Sequence, residues 1–215
     1  MASISKTDTA KTSMDDLFGI EPIHIKLSDS EVANDITFDH FVRLNPALRV
    51  EQTSAGELVV MTPTGGESGW KNSILNTQFG NWAKTNGGIV FDSSTLFVLP
   101  NGAKRSPDVA WIVASRWNSL SKKQRDGYPP VCPDVVVELR SRSDRLVDLS
   151  TKMVEYIDNG ARLGWLIDPI QKKVHVFRPG VTTVVLSHPA SLSADPIMAS
   201  FTLELSSILD AESDI

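Results

Sequence analysis

The chain has 215 residues, 41% of them apolar and 22% charged, with 21 basic against 26 acidic side chains and a formal net charge of −5. That length suits one domain with its own core. A single cysteine, Cys132, excludes a disulfide scaffold or a cysteine-rich zinc fold. The acidic balance excludes a protein that coats nucleic acid non-specifically, and no apolar run approaches the roughly 20 residues of a membrane span.

Residues 1–25 are rich in Ser, Thr, Lys and Asp and read as a flexible tail before one domain over 26–215. They carry no apolar signal core, so the expected location is cytoplasmic. Leu48–Thr53 and Glu57–Thr62 read as a hairpin, and Thr62-Pro-Thr-Gly-Gly66 ends it. A helix fits 67–85, with Trp70, Ile74, Leu75, Phe79 and Trp82 as its apolar face and Gly87-Gly88 as its stop. Runs at 88–92, 95–99 and 108–113 read as a meander of strands, and 115–133 as a partly helical excursion. Asp134–Leu139 (DVVVEL) is almost continuously β-branched, the pattern of a strand buried on both faces. A second helix fits 145–159, followed by a strand at 163–167 and a hairpin at 173–178 and 182–186. The β-α-β order from 134 to 167 implies a parallel pair with a crossover helix. The fold class is therefore α/β, with a mixed central sheet and extra β-hairpins.

Acidic residues where a strand should be dry carry the functional signal. Glu138 lies within Val-Val-Val-Glu-Leu, where an unpartnered carboxylate costs several kcal/mol. Asp108 stands at the mouth of Val-Ala-Trp-Ile. On neighbouring strands the two carboxylates converge at one end of a sheet, a good setting for a hard divalent cation. Such an ion acidifies water and polarises a phosphoryl oxygen.

Ser106-Pro107-Asp108 and Val137-Glu138-Leu139-Arg140-Ser141 resemble the PD-(D/E)xK nuclease superfamily, and more narrowly the restriction endonuclease family abundant in cyanobacteria. The resemblance runs over about 38–178, through Met61-Thr-Pro-Thr-Gly65, Arg105-Ser-Pro-Asp108, Pro133–Ser141, Ser143-Asp-Arg145, Lys152, Tyr156 and Asn159–Pro169. It implies a restriction endonuclease-like αβββαβ core in which Asp108 and Glu138 hold Mg²⁺ or Mn²⁺. The superfamily pattern places Lys two residues after the Glu, and this chain has Arg140 there. Arginine keeps the charge but cannot give up a proton near neutral pH, so the resemblance transfers the lysine role to Lys152 on the following helix. With Leu149 as zero, Lys152 lies at about 300°, flanking Met153 at about 40° and Tyr156 at about 340°.

Glu67 is a further candidate for metal ligand and catalysis. It sits about 60° from Trp70 and about 20° from Ile74, on the face expected to be buried. Arg140 is expected to contact phosphate or a carboxylate, pairing otherwise with Glu138 or Asp144. Lys104, Arg105, Arg116, Lys122, Lys123, Arg125, Arg140, Arg142 and Arg145 form a candidate local surface for DNA phosphates. His24, His40, His175 and His188 lack metal-ligand spacing. The implied activity is a Mg²⁺-dependent endonuclease acting on DNA as a homodimer, because cutting both strands needs two sites. The alternatives are a catalytically weak or inactive nuclease fold that serves as a DNA-binding or oligomeric interaction protein, and a hydrolase of a non-nucleic phosphodiester.

Overall fold

A computed structural model of the chain describes residues 23–25 and 35–210. Of the stretch read as a tail, Ile23–Ile25 forms strand β1, and residues 1–22 lie outside the described residues. Helix α1 (Asp35–Leu44) follows, then the expected hairpin of β2 (Arg49–Gln52) and β3 (Leu58–Met61). Helix α2 (Gly66–Asn86) covers the stretch read as helical. Next come β4 (Ile89–Asp92), β5 (Phe97–Val98), β6 (Lys104–Arg105) and β7 (Val109–Ile112). Two short helices, α3 (Ala114–Ser119) and α4 (Lys122–Asp126), make up the excursion. Then β8 (Val135–Leu139), α5 (Leu146–Asp158) and β9 (Leu163–Asp168) form the β-α-β unit. The hairpin of β10 (Lys173–Arg178) and β11 (Val181–Ser187) follows, and the pair β12 (Ser191–Ser193) and β13 (Thr202–Glu204) with α6 (Ser206–Leu209) ends the described chain.

The central sheet runs β11-β10-β9-β8-β7-β4. Only β8 and β9 are parallel in it, as a crossover through α5 requires, so the sheet is mixed. Every residue of β8 is buried, in keeping with its β-branched run. Taken in chain order, α2, β4, β7, β8, α5 and β9 give the αβββαβ core. The expected meander differs in one respect. β5 leaves the central sheet and pairs with β6 in an outer sheet ordered β1-β3-β2-β6-β5, so the turn at Pro100-Asn101-Gly102 serves that pair. Strands β5 and β6 are only two residues long. They bring the chain from β4 across to β2 and back to β7.

Two helices sandwich the sheet. Leu75 and Phe79 of α2 pack with Val109, Trp111, Val137 and Trp165 on one face. Met153 and Tyr156 of α5 pack with Ala110, Ile112 and Val136 on the other. The C-terminal end of α2 is stitched to β7 at Gly87 and Gly88. The Trp111 indole N–H donates to Gly87 O at 3.2 Å, and a Cβ at Gly88 (φ 81°) would lie 2.2 Å from that ring. Both positive φ and close approach demand glycine there. This seam fixes how α2 crosses β7 and so which of its side chains reach Asp108. Among the described residues, no helix is long and apolar enough to cross a membrane.

Candidate active site

Strands β7 and β8 are antiparallel, with Val109 opposite Val137. One step further along the ladder, Asp108 and Glu138 come together at the same end of the sheet. A cavity of about 510 Å³ opens there, with Asn72, Asp108, Glu138 and Lys152 on its wall. The entry to β7 and the end of β8 thus do what the sequence spacing anticipated.

Each carboxylate is held by named donors. Asp108 Oδ2 accepts the Leu139 backbone N–H at 2.8 Å and Oδ1 accepts Asn72 Nδ2 at 2.9 Å. Asn76, one turn along α2, donates to the Asp108 carbonyl at 3.3 Å. Glu138 Oε1 accepts the Tyr156 hydroxyl at 3.0 Å and lies 2.9 Å from Lys152 Nζ. Burial pushes Glu138 up to about 8, against the pull of Lys152 and with Asp108 and Glu51 adding like charge. Burial also raises Asp108, against its two hydrogen bonds. Burial opposes the Lys152 charge as well, but Glu138 and Glu51 outweigh it and hold its pKa above the ordinary lysine value. Lys152 therefore stands in the site as a cation. Its stem crosses the edge of α5 toward the sheet, as its place beside the apolar stripe suggests.

Glu51 was not among the sequence candidates. It reaches the site from β2, with only 3% of its surface exposed. Its Oε1 accepts from Ser106 N–H and Lys152 Nζ, both at 2.8 Å, and its Oε2 lies 3.2 Å from Arg105 Nη1. Arg105 turns its Nε to Glu155 Oε2 at 2.6 Å. A buried network thus runs from Glu155 through Arg105, Glu51 and Lys152 to Glu138. The signal for Glu51 was a carboxylate beside Val50 in a strand. The signal for Asn72 and Asn76 was a pair of weak helix formers four residues apart in a helix interior.

Two candidates stand elsewhere. Glu67 is not on a buried face: its side chain is 58% exposed and pairs with Lys71 at 2.6 Å. Burial on α2 begins with Lys71, Leu75 and Phe79, and Trp70 is 39% exposed, so the first turn of the helix has no sheet to pack against. Glu67 lines the same cavity, but its hydrogen bond goes to Lys71 and not to Asp108 or Glu138. Arg140 does not meet Glu138. It pairs with the fully buried Asp168 at 2.8 Å and donates through Nε to the Asp144 carbonyl. It faces a neighbouring cleft of about 650 Å³.

Part of the basic cluster is spent inside the fold, at Lys104, Arg105 and Arg140, whereas Lys122, Lys123, Arg142 and Arg145 stay exposed. Arg105, Arg116, Lys122, Arg140 and Arg145 have acidic partners, and Lys104 is buried over the Phe38 ring with Gln52 as an acceptor. Arg142 alone of the nine lines both clefts. Cys132 is a buried free thiol whose pKa burial pushes up to about 12, consistent with an inert role.

A model of the Uma2 family, described as "Putative restriction endonuclease", matches residues 38–206. The chain belongs to this family. Nuclease is thereby the class of activity that its family carries. No curated protein matches the chain. Among solved structures it is similar to "a putative nuclease belonging to DUF820 from Anabaena variabilis ATCC 29413", at 21% identity and a TM-score of 0.65, over 80% of this chain and 96% of that one. That likeness bears on the fold, which is a nuclease-like mixed α/β architecture. In this Uma2 member the position two residues after Glu138 holds Arg140, and the cation at Glu138 comes from α5 as Lys152.

The donor set fits a small divalent cation. Among the described residues, no three His, Cys, Asp or Glu side chains gather into a metal cluster. Two carboxylates and an amide do meet at the cavity. Both contacts to Glu138 fall on Oε1. Asn72 must turn Nδ2 to the Asp108 carboxylate, and its Oδ1 is then buried without a hydrogen-bond partner. A buried acceptor left unmet is costly. These donors are hard oxygens and only three in number, which matches the preference of Mg²⁺ and Mn²⁺ for few protein ligands.

Proposed function

We propose that this chain is a metal-dependent endonuclease that hydrolyses phosphodiester bonds of DNA. The observation that carries the reading is the convergence of Asp108 and Glu138 on one cavity wall with a buried ammonium at Glu138 and an unmet amide oxygen on Asn72. Asp108 and Glu138 would hold Mg²⁺ or Mn²⁺, with Asn72 Oδ1 beside them. The ion supplies an acidified water and a Lewis acid for the phosphoryl group. Leu139 N–H and Asn72 Nδ2 orient Asp108, and the Tyr156 hydroxyl orients Glu138. Lys152 keeps its proton, so its part is to stabilise charge that develops on the phosphate rather than to act as a base. Arg142, on the rim of both clefts, would meet the backbone of the strand. A homodimer would supply the second site that a double-strand break needs.

The deciding experiment is incubation of supercoiled and linear DNA with the purified chain and Mg²⁺ or Mn²⁺, alongside Mn²⁺ calorimetry. Divalent-dependent cleavage that EDTA stops supports the reading. Absence of both cleavage and metal binding sinks it. One observation favours a second reading, a catalytically inactive nuclease fold used as a DNA-binding or oligomeric module: Lys152 already neutralises Glu138 from within. DNA affinity that EDTA leaves unchanged, with no cleavage, would select it.

A further inference from the structure

Glu51 belongs to the outer sheet, yet its carboxylate is among the most enclosed charges of the domain. Burial pushes its pKa up, but Lys152 and Arg105 outweigh that and leave it below the ordinary carboxylate value. It is thus a fixed anion. Lys152 Nζ lies between this anion at 2.8 Å and Glu138 Oε1 at 2.9 Å, and so has two carboxylates for one charge.

Those two carboxylates are not equivalent. Glu138 faces the cavity beside Asp108, where a divalent cation would bind it. Glu51 does not line that cavity, and its other contacts are a backbone N–H and an arginine. A divalent cation on Glu138 repels the ammonium that shares the same carboxylate. If Glu138 were its only partner, Lys152 would compete with the metal, and one of the two would have to leave. With Glu51 present the ammonium has somewhere to stay. Arg105 does not need Glu51 to the same degree, because Glu155 holds its Nε at 2.6 Å.

We infer that Glu51 is the holding carboxylate for Lys152, keeping the ammonium in place when Glu138 turns to a divalent cation. The inference rests on the reading of Asp108 and Glu138 as the metal site. Glu51 is a positioning residue and acts through Lys152. It couples the outer sheet to the cavity, and gives the hairpin of β2 and β3 a part in metal affinity that its distance from β8 in the sequence conceals.

The test is a cycle of Mn²⁺ titrations by calorimetry on the full chain, at one pH and salt concentration: the unaltered chain, Glu51→Gln, Lys152→Met, and both together. Glutamine keeps the shape of Glu51 and an acceptor for Ser106 N–H. Glu51→Gln should weaken Mn²⁺ binding by about 10–100-fold, the range for loss of a group that supports a ligand. In the Lys152→Met background the same change should alter affinity by less than about twofold, because no ammonium then needs holding. An equal loss in both backgrounds marks a merely structural role and overturns the inference, as does no loss in either. If Glu51→Gln does not fold, Glu51→Asp takes its place in the same cycle: the shortened carboxylate should weaken Mn²⁺ binding with Lys152 present and change it by less than about twofold in the Lys152→Met background, and an equal effect or none in both backgrounds overturns the inference. Failure of the unaltered chain to bind Mn²⁺ at all would remove the metal reading itself and the holding role with it. Binding without the expected coupling removes only the role of Glu51.

Discussion

Lys152 and Arg140 each bring a cation to carboxylates near the end of β8, and the two sites are built to opposite ends. Arg140 meets one anion, Asp168, which is fully buried. Asp168 takes Arg140 on Oδ2 and the Gln171 N–H on Oδ1, and Arg140 spends Nε on the Asp144 carbonyl. Charge is matched and the carboxylate is satisfied on both oxygens. Lys152 meets two carboxylates, with Asp108 close by, and the amide oxygen of Asn72 is left without a partner. The first arrangement is what a structural ion pair requires. The second carries more carboxyl groups than cations and an unmet acceptor beside a cavity, which is what a site for a further cation requires. Proximity to the motif therefore does not separate the two cations, but hydrogen-bond accounting does.

The comparison breaks most directly at the surplus acids. Asp108→Ala and Glu138→Ala should each lower divalent-dependent DNA cleavage by more than about 10³-fold and abolish the Mn²⁺ calorimetric signal. Cleavage within tenfold of the unaltered chain would move the chemistry elsewhere. On the matched side, Arg140→Leu should cost about 3 kcal/mol of stability in urea denaturation, because it strands Asp168 as a buried charge. The double change Arg140→Leu with Asp168→Leu should recover much of that loss. If Arg140→Leu instead leaves stability intact and stops cleavage, the assignment of the two cations is reversed. Lys152→Met should fold, bind Mn²⁺, and cleave about 10²-fold more slowly, an effect on turnover rather than on substrate binding.

The two sites also differed in how far the sequence exposed them. DVVVEL announced a strand buried on both faces, and β8 is one. The β-α-β order announced the parallel pair of β8 and β9, and the helix angle announced that Lys152 flanks the buried stripe of α5. Those features are local periodicities or short-range connections. The partners of the site are not local. Glu51 meets Lys152 across 101 positions and Asn72 meets Asp108 across 36. Nothing in a strand such as Arg49-Val-Glu-Gln says which helix it will face. The basic cluster shows the same dependence: counting Lys and Arg along 104–145 cannot count the acids that come from other segments to meet some of them. Asp134, Glu155 and Asp168 do so here.

Proton competition sharpens the same contrast. Glu138 is held up to about 8, so below that pH a proton and a divalent cation compete for it. Mn²⁺ affinity should rise by about tenfold per pH unit between 6 and 8 and level off above, read by calorimetry in buffers of matched ionisation heat. In the metal-free chain the sign for stability is the reverse. A carboxyl raised from 4.5 to about 8 contributes stability that is complete below 4.5 and is lost as pH rises through about 8. Stability of the metal-free chain should therefore decline over that window, and saturating Mn²⁺ should restore it at the alkaline end. A flat Mn²⁺ affinity from pH 6 to 8 would show that Glu138 is already ionised and that Lys152 holds its charge fully.

The smallest effect belongs to the acid that periodicity placed on a buried face. A hundred degrees per residue orients side chains correctly around a helix but does not say where along its axis the packing surface begins. On α2 it begins at Lys71, and Glu67 is one turn too early, 58% exposed and paired only with that lysine. Surface pairs of this kind add little, and water can satisfy the Lys71 ammonium in part when the carboxylate is gone. Glu67→Ala should thus change stability by less than about 0.5 kcal/mol and leave Mn²⁺ affinity within about twofold. Against it, Asn72→Ala should weaken Mn²⁺ binding by about tenfold, since it removes both the donor that orients Asp108 and the unmet oxygen beside it. If Glu67→Ala proved the more damaging of the two, the acid at the cavity rim would have to swing inward on metal binding, and the role read for Asn72 would pass to Glu67.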